Sequence, residues 1–172
     1  MLSDPAAAEA VAFGEGGVVE AISAAKGYVD VSTVDPACAT KIAAAVRAKG
    51  ALYLEAPVSG SKKPAEDGAL IFLCAGDKLL YDTATEALQA MGKKNLFLGE
   101  VGAGAKMKLV VNMVMGTMLS AFSEGLALAD ASDLDLDDVM DVINNGAMSC
   151  PMFALKGPQM KASPSPKSFA SR

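Results

Sequence analysis

The feature that most constrains the fold is a change of pattern at Gly104. Before it, short apolar runs such as YVDVS, ALYLE and ALIFLCA alternate with helical stretches. Strands that alternate with helices of about 10 to 15 residues predict a parallel or mostly parallel sheet covered by helices. After Gly104 the sequence predicts helices only. We therefore expect an α/β fold over residues 1–104, followed by the start of an all-α domain over residues 105–172.

The residues 105–131 predict one long helix that is apolar almost all round. Such a helix is typical of an element buried between two layers. A membrane span would need about 20 nearly uncharged residues, whereas Asn112, Glu124 and Asp130 interrupt this stretch. The first ten residues lack the basic start and apolar run of a signal peptide. The sequence thus predicts no membrane partner.

Composition narrows the chemistry. The chain has 172 residues, of which 52% are hydrophobic and 20% charged, as in a globular protein. Its net charge of -5 argues against nucleic acid as a partner. Histidine is absent, so a lysine must do the acid–base work of any enzyme. The three cysteines lie far apart and predict reduced thiols.

No metal site is expected. The aspartates between residues 130 and 141 could suggest calcium, but they lack the glycine and the terminal glutamate of an EF-hand loop. Helix capping and a solvated helix face account for them better.

The segment GEVGAGAKMKLVVN, residues 99–112, places three glycines ahead of Lys108 and Asn112. On a helix these two side chains stand one turn apart on the same face. A partly desolvated lysine there could protonate a carbonyl oxygen while the asparagine amide orients the substrate. The alternative is the start of an ordinary helix with a solvated lysine.

Both ends of the chain suggest missing parts. An α/β nucleotide-binding sheet should begin with a strand, a glycine-rich turn and a helix N-terminus that holds a pyrophosphate. Here Met1 and Leu2 lead straight into a loop, and no G-x-G-x-x-G occurs. Two or three helices are too few to close a separate all-α core. We expect that the first βαβ unit and the later helices are absent.

Three motifs follow one another along the chain: VDVSTVDP, EAPVSGS, and the glycines before Lys108 and Asn112. Together they resemble motifs of the β-hydroxyacid dehydrogenase family, which includes 3-hydroxyisobutyrate dehydrogenase. Within this family they are most similar to the plant-type glyoxylate/succinic semialdehyde reductases. VDVSTVDP resembles the segment beside the nicotinamide, and EAPVSGS resembles the substrate loop DAPVSGG. The glycines before Lys108 and Asn112 resemble the catalytic motif. Glu55 and Ser61 depart from the family pattern. The resemblance extends from Met1 to about Phe169.

The resemblance implies roles for eight residues. Lys108 would be the general acid and Asn112 would hold the substrate beside it. The substrate would be bound by Ser59 and Gly60, through its carboxylate, and by Phe169. Leu2, Ser3 and Thr33 would lie near the cofactor. The resemblance implies that residues 1–104 are the later part of a Rossmann-like NADP-binding domain. It also implies that residues 105–172 are the inter-domain helix and the start of the helical domain.

The resemblance also implies the reaction, which is NADPH-dependent reduction of a small aldehyde acid to the hydroxy acid. We expect a homo-oligomeric full-length form and a cytoplasmic location, with an organellar form as the alternative. Without the glycine-rich turn, we expect weak or no NADPH binding by this chain alone. Two further hypotheses stay open: an inactive fragment that only binds partners or dimerises, and a scaffold with an accidental lysine motif.

Overall fold

A computed structural model describes residues 1–162. Its compact units are Met1–Val111 and a second unit that begins at Asn112. The helices are α1 (Pro5–Phe13), α2 (Val18–Ala21), α3 (Pro36–Ala48), α4 (Lys62–Glu66), α5 (Lys78–Met91), α6 (Ala103–Ala131), α7 (Leu136–Asn145) and α8 (Pro151–Lys161). The strands are β1 (Gly27–Asp30), β2 (Leu52–Glu55), β3 (Val58–Ser59), β4 (Leu70–Gly76) and β5 (Gly92–Phe97).

The predicted α/β class is confirmed, but the sheet is mixed. β1 pairs with β2, and β4 with β5, in parallel, whereas β4 runs antiparallel to both β2 and β3. A parallel return needs a crossover of about a dozen residues or more, usually a long helix. The stretch after β2 forms only the short β3 and the five-residue α4. The chain therefore comes back along β4 in the opposite direction.

An aspartate followed by a proline begins each of the helices α1 and α3. Asp4 Oδ1 accepts from the N–H of Ala7 at 2.8 Å, and Asp35 Oδ1 accepts from the N–H of Ala37 at 2.9 Å. In both helices proline follows directly, where its missing N–H costs nothing. These caps fix the entry of α1 and α3 onto the sheet.

Successive side chains of β2 belong to two separate apolar clusters. Tyr53 is fully buried with residues of α1 and α3, including Ile42. Its neighbour Leu54 is fully buried in the other cluster, with Phe72 of β4 and Leu88 of α5. Successive side chains of a strand point to opposite faces, so β2 is covered on both sides. It is the central element of the first unit.

The expected burial of α6 is wrong for the described residues. The helix forms over the predicted range, but eight of its large apolar side chains are exposed: Met107, Leu109, Val110, Met113, Val114, Met115, Met118 and Leu128. Only 11% of its most apolar window is buried, and by length and composition alone it could span a membrane. Apolarity all round predicts that something covers a helix, whereas no layer of residues 1–162 covers this one.

A partly exposed ion pair joins α3 to β2 and to the start of α5, and it gives a first prediction. Arg47 binds both carboxylate oxygens of Asp77, at 2.9 and 3.1 Å, and Asp77 Oδ2 also accepts from the N–H of Tyr53 at 2.8 Å. Burial acts to raise the pKa of Asp77, but the bonds from Arg47 and Tyr53 outweigh it and lower the pKa. A lowered pKa stabilises the fold above the ordinary value of about 3.9. This contribution is lost as the pH falls through the lowered value.

We therefore expect Asp77→Asn to lower the free energy of unfolding at pH 7 by about 1–3 kcal/mol, because Arg47 is left without its charged acceptor. The difference from the unsubstituted chain should shrink below about pH 4. Urea unfolding at several pH values measures both effects. Asp82→Asn is the control, since Asp82 pairs only with the exposed Lys78 and should cost less than about 1 kcal/mol. Equal effects of the two substitutions would contradict the prediction.

Candidate functional site

The start of α6 is held by a carboxylate from a distant part of the chain. Glu55, the last residue of β2, is 3% exposed. Its Oε1 accepts from the N–H of Gly102 at 2.7 Å and from the N–H of Gly104 at 2.8 Å. The first N–H groups of a helix have no partner within the helix, and a negative charge is favourable there. Glu55 therefore anchors α6 at the carboxyl end of β2.

Close packing at Gly104 brings this helix onto the sheet. A Cβ at Gly104 would lie 2.4 Å from the carbonyl oxygen of Leu73 and 3.1 Å from Glu55 Oε1. Only glycine permits this approach, because both atoms are held in place by β4 and β2. The sequence pattern of three glycines predicted such a turn, and at Gly104 the structure gives its cause.

Lys108 follows one turn later on α6. The residue is partly buried, and burial lowers the pKa of its ammonium group below the ordinary value. Removal from water disfavours the charged form of an amine. A lysine with a lowered pKa gives up its proton more readily near neutral pH, as a general acid must. This is the condition that the sequence hypothesis required of it.

The loop after β1 is fastened at two points. Asp30, which is 4% exposed, accepts from the N–H of Ser32 at 2.9 Å through Oδ1. Ser32 Oγ in turn accepts from the N–H of Leu2 at 3.0 Å. Thr33 comes next and is partly buried. Leu2 and the loop that carries Thr33 are thus brought together.

Ser3 has a different neighbour. Its hydroxyl donates to Asp4 Oδ2 at 2.8 Å, and the residue is exposed. It therefore supports the cap of α1 in this structure.

The predicted substrate loop begins with β3. Ser59 pairs with Ile71 of β4, and Gly60 follows with φ +132°, in the region that favours glycine. A Cβ at Gly60 would lie 2.8 Å from the side chain of Leu70 and 3.0 Å from that of Pro64. The loop must therefore keep glycine at this position to pass between them.

Two of the predicted segments contact strand β4. Ser59 pairs with Ile71, and Gly104 packs on Leu73 two residues further along the same strand. The substrate loop and the start of the lysine helix therefore both lie along β4. Asn112 comes one turn after Lys108 on α6 and is the first residue of the second unit. Phe169 lies outside the described residues.

The sequence analysis assigns no functional role to two acidic residues near this site. Asp30 and Glu55 are in-register partners on the parallel strands β1 and β2. The signal was present, since each is an acidic residue at the end of an otherwise apolar strand. A charge that is almost never fully buried without a partner predicts a specific contact at such a position. Which contact it makes depends on α6 and on the loop after β1, which are distant in sequence.

The turn after β1 lies at the carboxyl end of that strand. Ligands of open α/β sheets bind outside the carboxyl ends of the strands, where Asp30 fixes the turn that leads to the Thr33 hydroxyl. No G-x-G-x-x-G occurs in the sequence, so we assign no pyrophosphate site within it. Within residues 1–162 no three acidic, histidine or cysteine side chains are grouped to hold a metal ion.

Comparisons with protein families cover nearly the whole chain. Residues 1–102 match the profile of the NAD binding domain of 6-phosphogluconate dehydrogenase. Residues 102–171 match that of the NAD-binding region of NADP-dependent 3-hydroxyisobutyrate dehydrogenase. Two domain families of one group of dehydrogenases thus follow each other along the chain.

Individual proteins agree with these profiles. Glyoxylate/succinic semialdehyde reductase 1 of Arabidopsis thaliana is 55% identical over 169 residues, which are 98% of this chain and 58% of that protein. Glyoxylate/succinic semialdehyde reductase 2, chloroplastic, of the same plant is 54% identical over 98% of this chain and 47% of its own length. A crystal structure of 3-hydroxyisobutyrate dehydrogenase from Salmonella typhimurium superposes with a TM-score of 0.83 at 26% identity, covering 92% of this chain and 55% of that one. The chain thus spans about half the length of the relatives it matches.

Proposed function

The chain belongs to the β-hydroxyacid dehydrogenase family that includes 3-hydroxyisobutyrate dehydrogenase, and we propose that it carries the catalytic lysine and the substrate loop of an NADPH-dependent reductase of small aldehyde acids. The observation that supports this proposal is the partly buried Lys108 on a helix whose start packs on β4, the strand that also pairs with the substrate loop. Its relatives in Arabidopsis are named for glyoxylate and succinic semialdehyde. Both compounds combine an aldehyde with a carboxylate, which suits this set of groups.

Lys108 would act as the general acid. The proton on its Nζ passes to the carbonyl oxygen of the aldehyde as negative charge develops there, which leaves the lysine neutral. Burial helps, because it destabilises the charged amine and so favours proton release. When bound, NADPH supplies the hydride that reduces the carbonyl carbon.

Ser59 and Gly60 would bind the substrate carboxylate. A serine hydroxyl and a backbone N–H are the donors that a small anion requires. The backbone of Gly60 has φ +132°, a conformation that favours glycine, and its N–H follows directly after the β3 pairing with β4. Leu2, Ser3 and Thr33 would lie near the cofactor. Roles for Asn112 in orienting the substrate and for Phe169 in its pocket stay predictions from the sequence.

The test is a reductase assay on two proteins: this chain, and a chimera in which it replaces the matching 169-residue segment of the Arabidopsis reductase. The oxidation of NADPH is followed with glyoxylate and with succinic semialdehyde. We expect turnover of at least one aldehyde acid by the chimera, and weak or no NADPH binding by the chain alone. A chimera that binds NADPH but reduces neither compound would refute the proposed reaction. It would favour the alternative of a module that only binds partners.

Other properties remain predictions. These are the domain division at residue 104, the homo-oligomeric full-length form, the absence of nucleic acid and membrane partners, and the cytoplasmic location. One relative is named as chloroplastic, in line with the organellar alternative. The same assay with NADH in place of NADPH measures the cofactor preference.

A further inference from the structure

Two buried carboxylates lie side by side at the ends of β1 and β2. Asp30 and Glu55 are direct partners in the parallel register, and they are 4% and 3% exposed. Within the described residues each has one oxygen bonded to backbone N–H groups and a second, buried oxygen with no partner: Asp30 Oδ2 and Glu55 Oε2. Partners in register place their side chains on the same face of a sheet. Two full negative charges in such a place are unfavourable.

Each carboxylate fastens one side of the candidate site. Asp30 holds the turn at Ser32, which in turn holds Leu2, on the predicted cofactor side. Glu55 holds the N–H groups of Gly102 and Gly104, on the side of the catalytic lysine. The two neighbouring carboxylates therefore hold the loop after β1 and the start of α6.

We propose that Glu55 is a positioning residue: it fixes the first turn of α6 and thereby keeps the side chain of Lys108 partly buried. The proposal rests on the proposed function of Lys108 as the general acid. It adds a role for a residue that touches neither the substrate nor the cofactor in that function.

The contacts of Glu55 indicate which of its features matter. Burial raises the pKa of Glu55; the N–H groups of Gly104, Gly102 and Ala105 oppose this shift, and the charge of Asp30 adds to it. A neutral Glu55 keeps Oε1 as the acceptor for the helix and leaves the proton on Oε2. An acceptor at the position of Oε1 is therefore present in both the charged and the neutral form of Glu55.

Three further titratable groups, two tyrosines and a cysteine, lie nearby on β1, β2 and α3. Burial raises the pKa of Tyr28 to about 12, and it also raises the pKa values of Tyr53 and Cys38. All three groups are therefore neutral at pH 7.

The test compares Glu55→Gln with Glu55→Leu in the 172-residue chain. Glutamine keeps the acceptor oxygen and places an amide where Oε2 now lies, whereas leucine has a similar volume and no acceptor. The pKa of Lys108 is measured by NMR titration of its side-chain carbon next to Nζ. We expect the Gln variant to match the unsubstituted chain. In the Leu variant the pKa of Lys108 should move up toward the ordinary value of about 10.4, because a loosened first turn admits water.

Glu100→Leu is the matched control, since Glu100 is an exposed carboxylate two residues before Gly102, and it should leave the pKa of Lys108 unchanged. In the reductase assay of the chimera, Glu55→Leu should lower kcat by about 10- to 100-fold with little change in the KM for NADPH. Glu55→Gln should restore kcat to within about threefold. A folded Leu variant with an unchanged Lys108 pKa and an unchanged kcat would overturn the proposal.

If the Leu variant does not fold, hydrogen exchange provides a second test of the positioning role of Glu55. The amide protons of Gly102 and Gly104 should be protected from hydrogen exchange in the unsubstituted chain and in the Gln variant. Rapid exchange of both amides in the unsubstituted chain would overturn the positioning role. This readout needs no turnover, so it separates failure of the Glu55 contact from failure of the proposed reaction.

Discussion

Replacement of Lys108 by methionine is expected to lower the kcat of the chimera by about 10²- to 10⁴-fold, which is the usual contribution of a positioned general acid. Methionine has a similar length and keeps the apolar contacts of the lysine stem, but it has no proton to donate. The KM for NADPH should stay within about threefold, because the substitution removes an interaction made in the transition state. Steady-state kinetics at varied aldehyde acid and varied NADPH measure both constants.

Lys106→Met is the control for this experiment, because Lys106 lies on the same turn of α6 and is exposed. It should leave kcat within about twofold. Near-normal turnover by the Lys108 variant would refute the role of Lys108 as the general acid. Equal losses in both variants would assign the effect to the charge of the helix instead.

The pH dependence of the same enzyme gives an independent check on Lys108. A general acid works only while it is protonated, so kcat/KM should fall as the pH rises through the pKa of this group. Because burial lowers that pKa, the fall should occur below about pH 10.4, the ordinary value for lysine. A profile that stays flat up to that pH would contradict the assignment.

The substitution Gly104→Ala is expected to damage both stability and activity. Its new methyl group would lie 2.4 Å from the carbonyl oxygen of Leu73, an atom held within β4, so the start of α6 must move away from the sheet. Forcing an extra methyl group into a packed site costs about 1–3 kcal/mol. The movement also breaks the bonds to Glu55, and a displacement of about 1 Å at a catalytic group can cost about 10²-fold in rate.

Gly116→Ala is the control for this substitution. Gly116 lies on the same helix, and a Cβ there meets no other atom within 4 Å. Alanine should therefore stabilise the helix by about 0.5–1 kcal/mol, since glycine is a poor helix former. Urea unfolding of both variants gives the free energies, and the assay of the chimera gives kcat. Equal stability of the two variants would show that the contact of Gly104 with Leu73 is not tight.

Local patterns in the sequence predicted most of the elements. Aspartate followed by proline marked the starts of α1 and α3, and apolar runs marked β2 and β4. These signals act between neighbouring residues, through capping bonds and through the period of apolar side chains. The direction of β4 was beyond such signals. The direction of β4 depends on how far the connection after β2 can reach. This connection contains only the short α4 and no crossover helix, so β4 runs antiparallel to β2.

By itself the sequence determined the order of the three motifs, the residues that bear reactive groups and the need for glycine before Lys108. Only the tertiary structure decided what those groups touch. The bond from Glu55 to the start of α6 joins residues 47 and 49 positions apart, and the pairing of Glu55 with Asp30 requires two parallel strands in register. The exposure of α6 was also decided there, because burial depends on which other residues cover a surface and not on the apolar character of the surface itself.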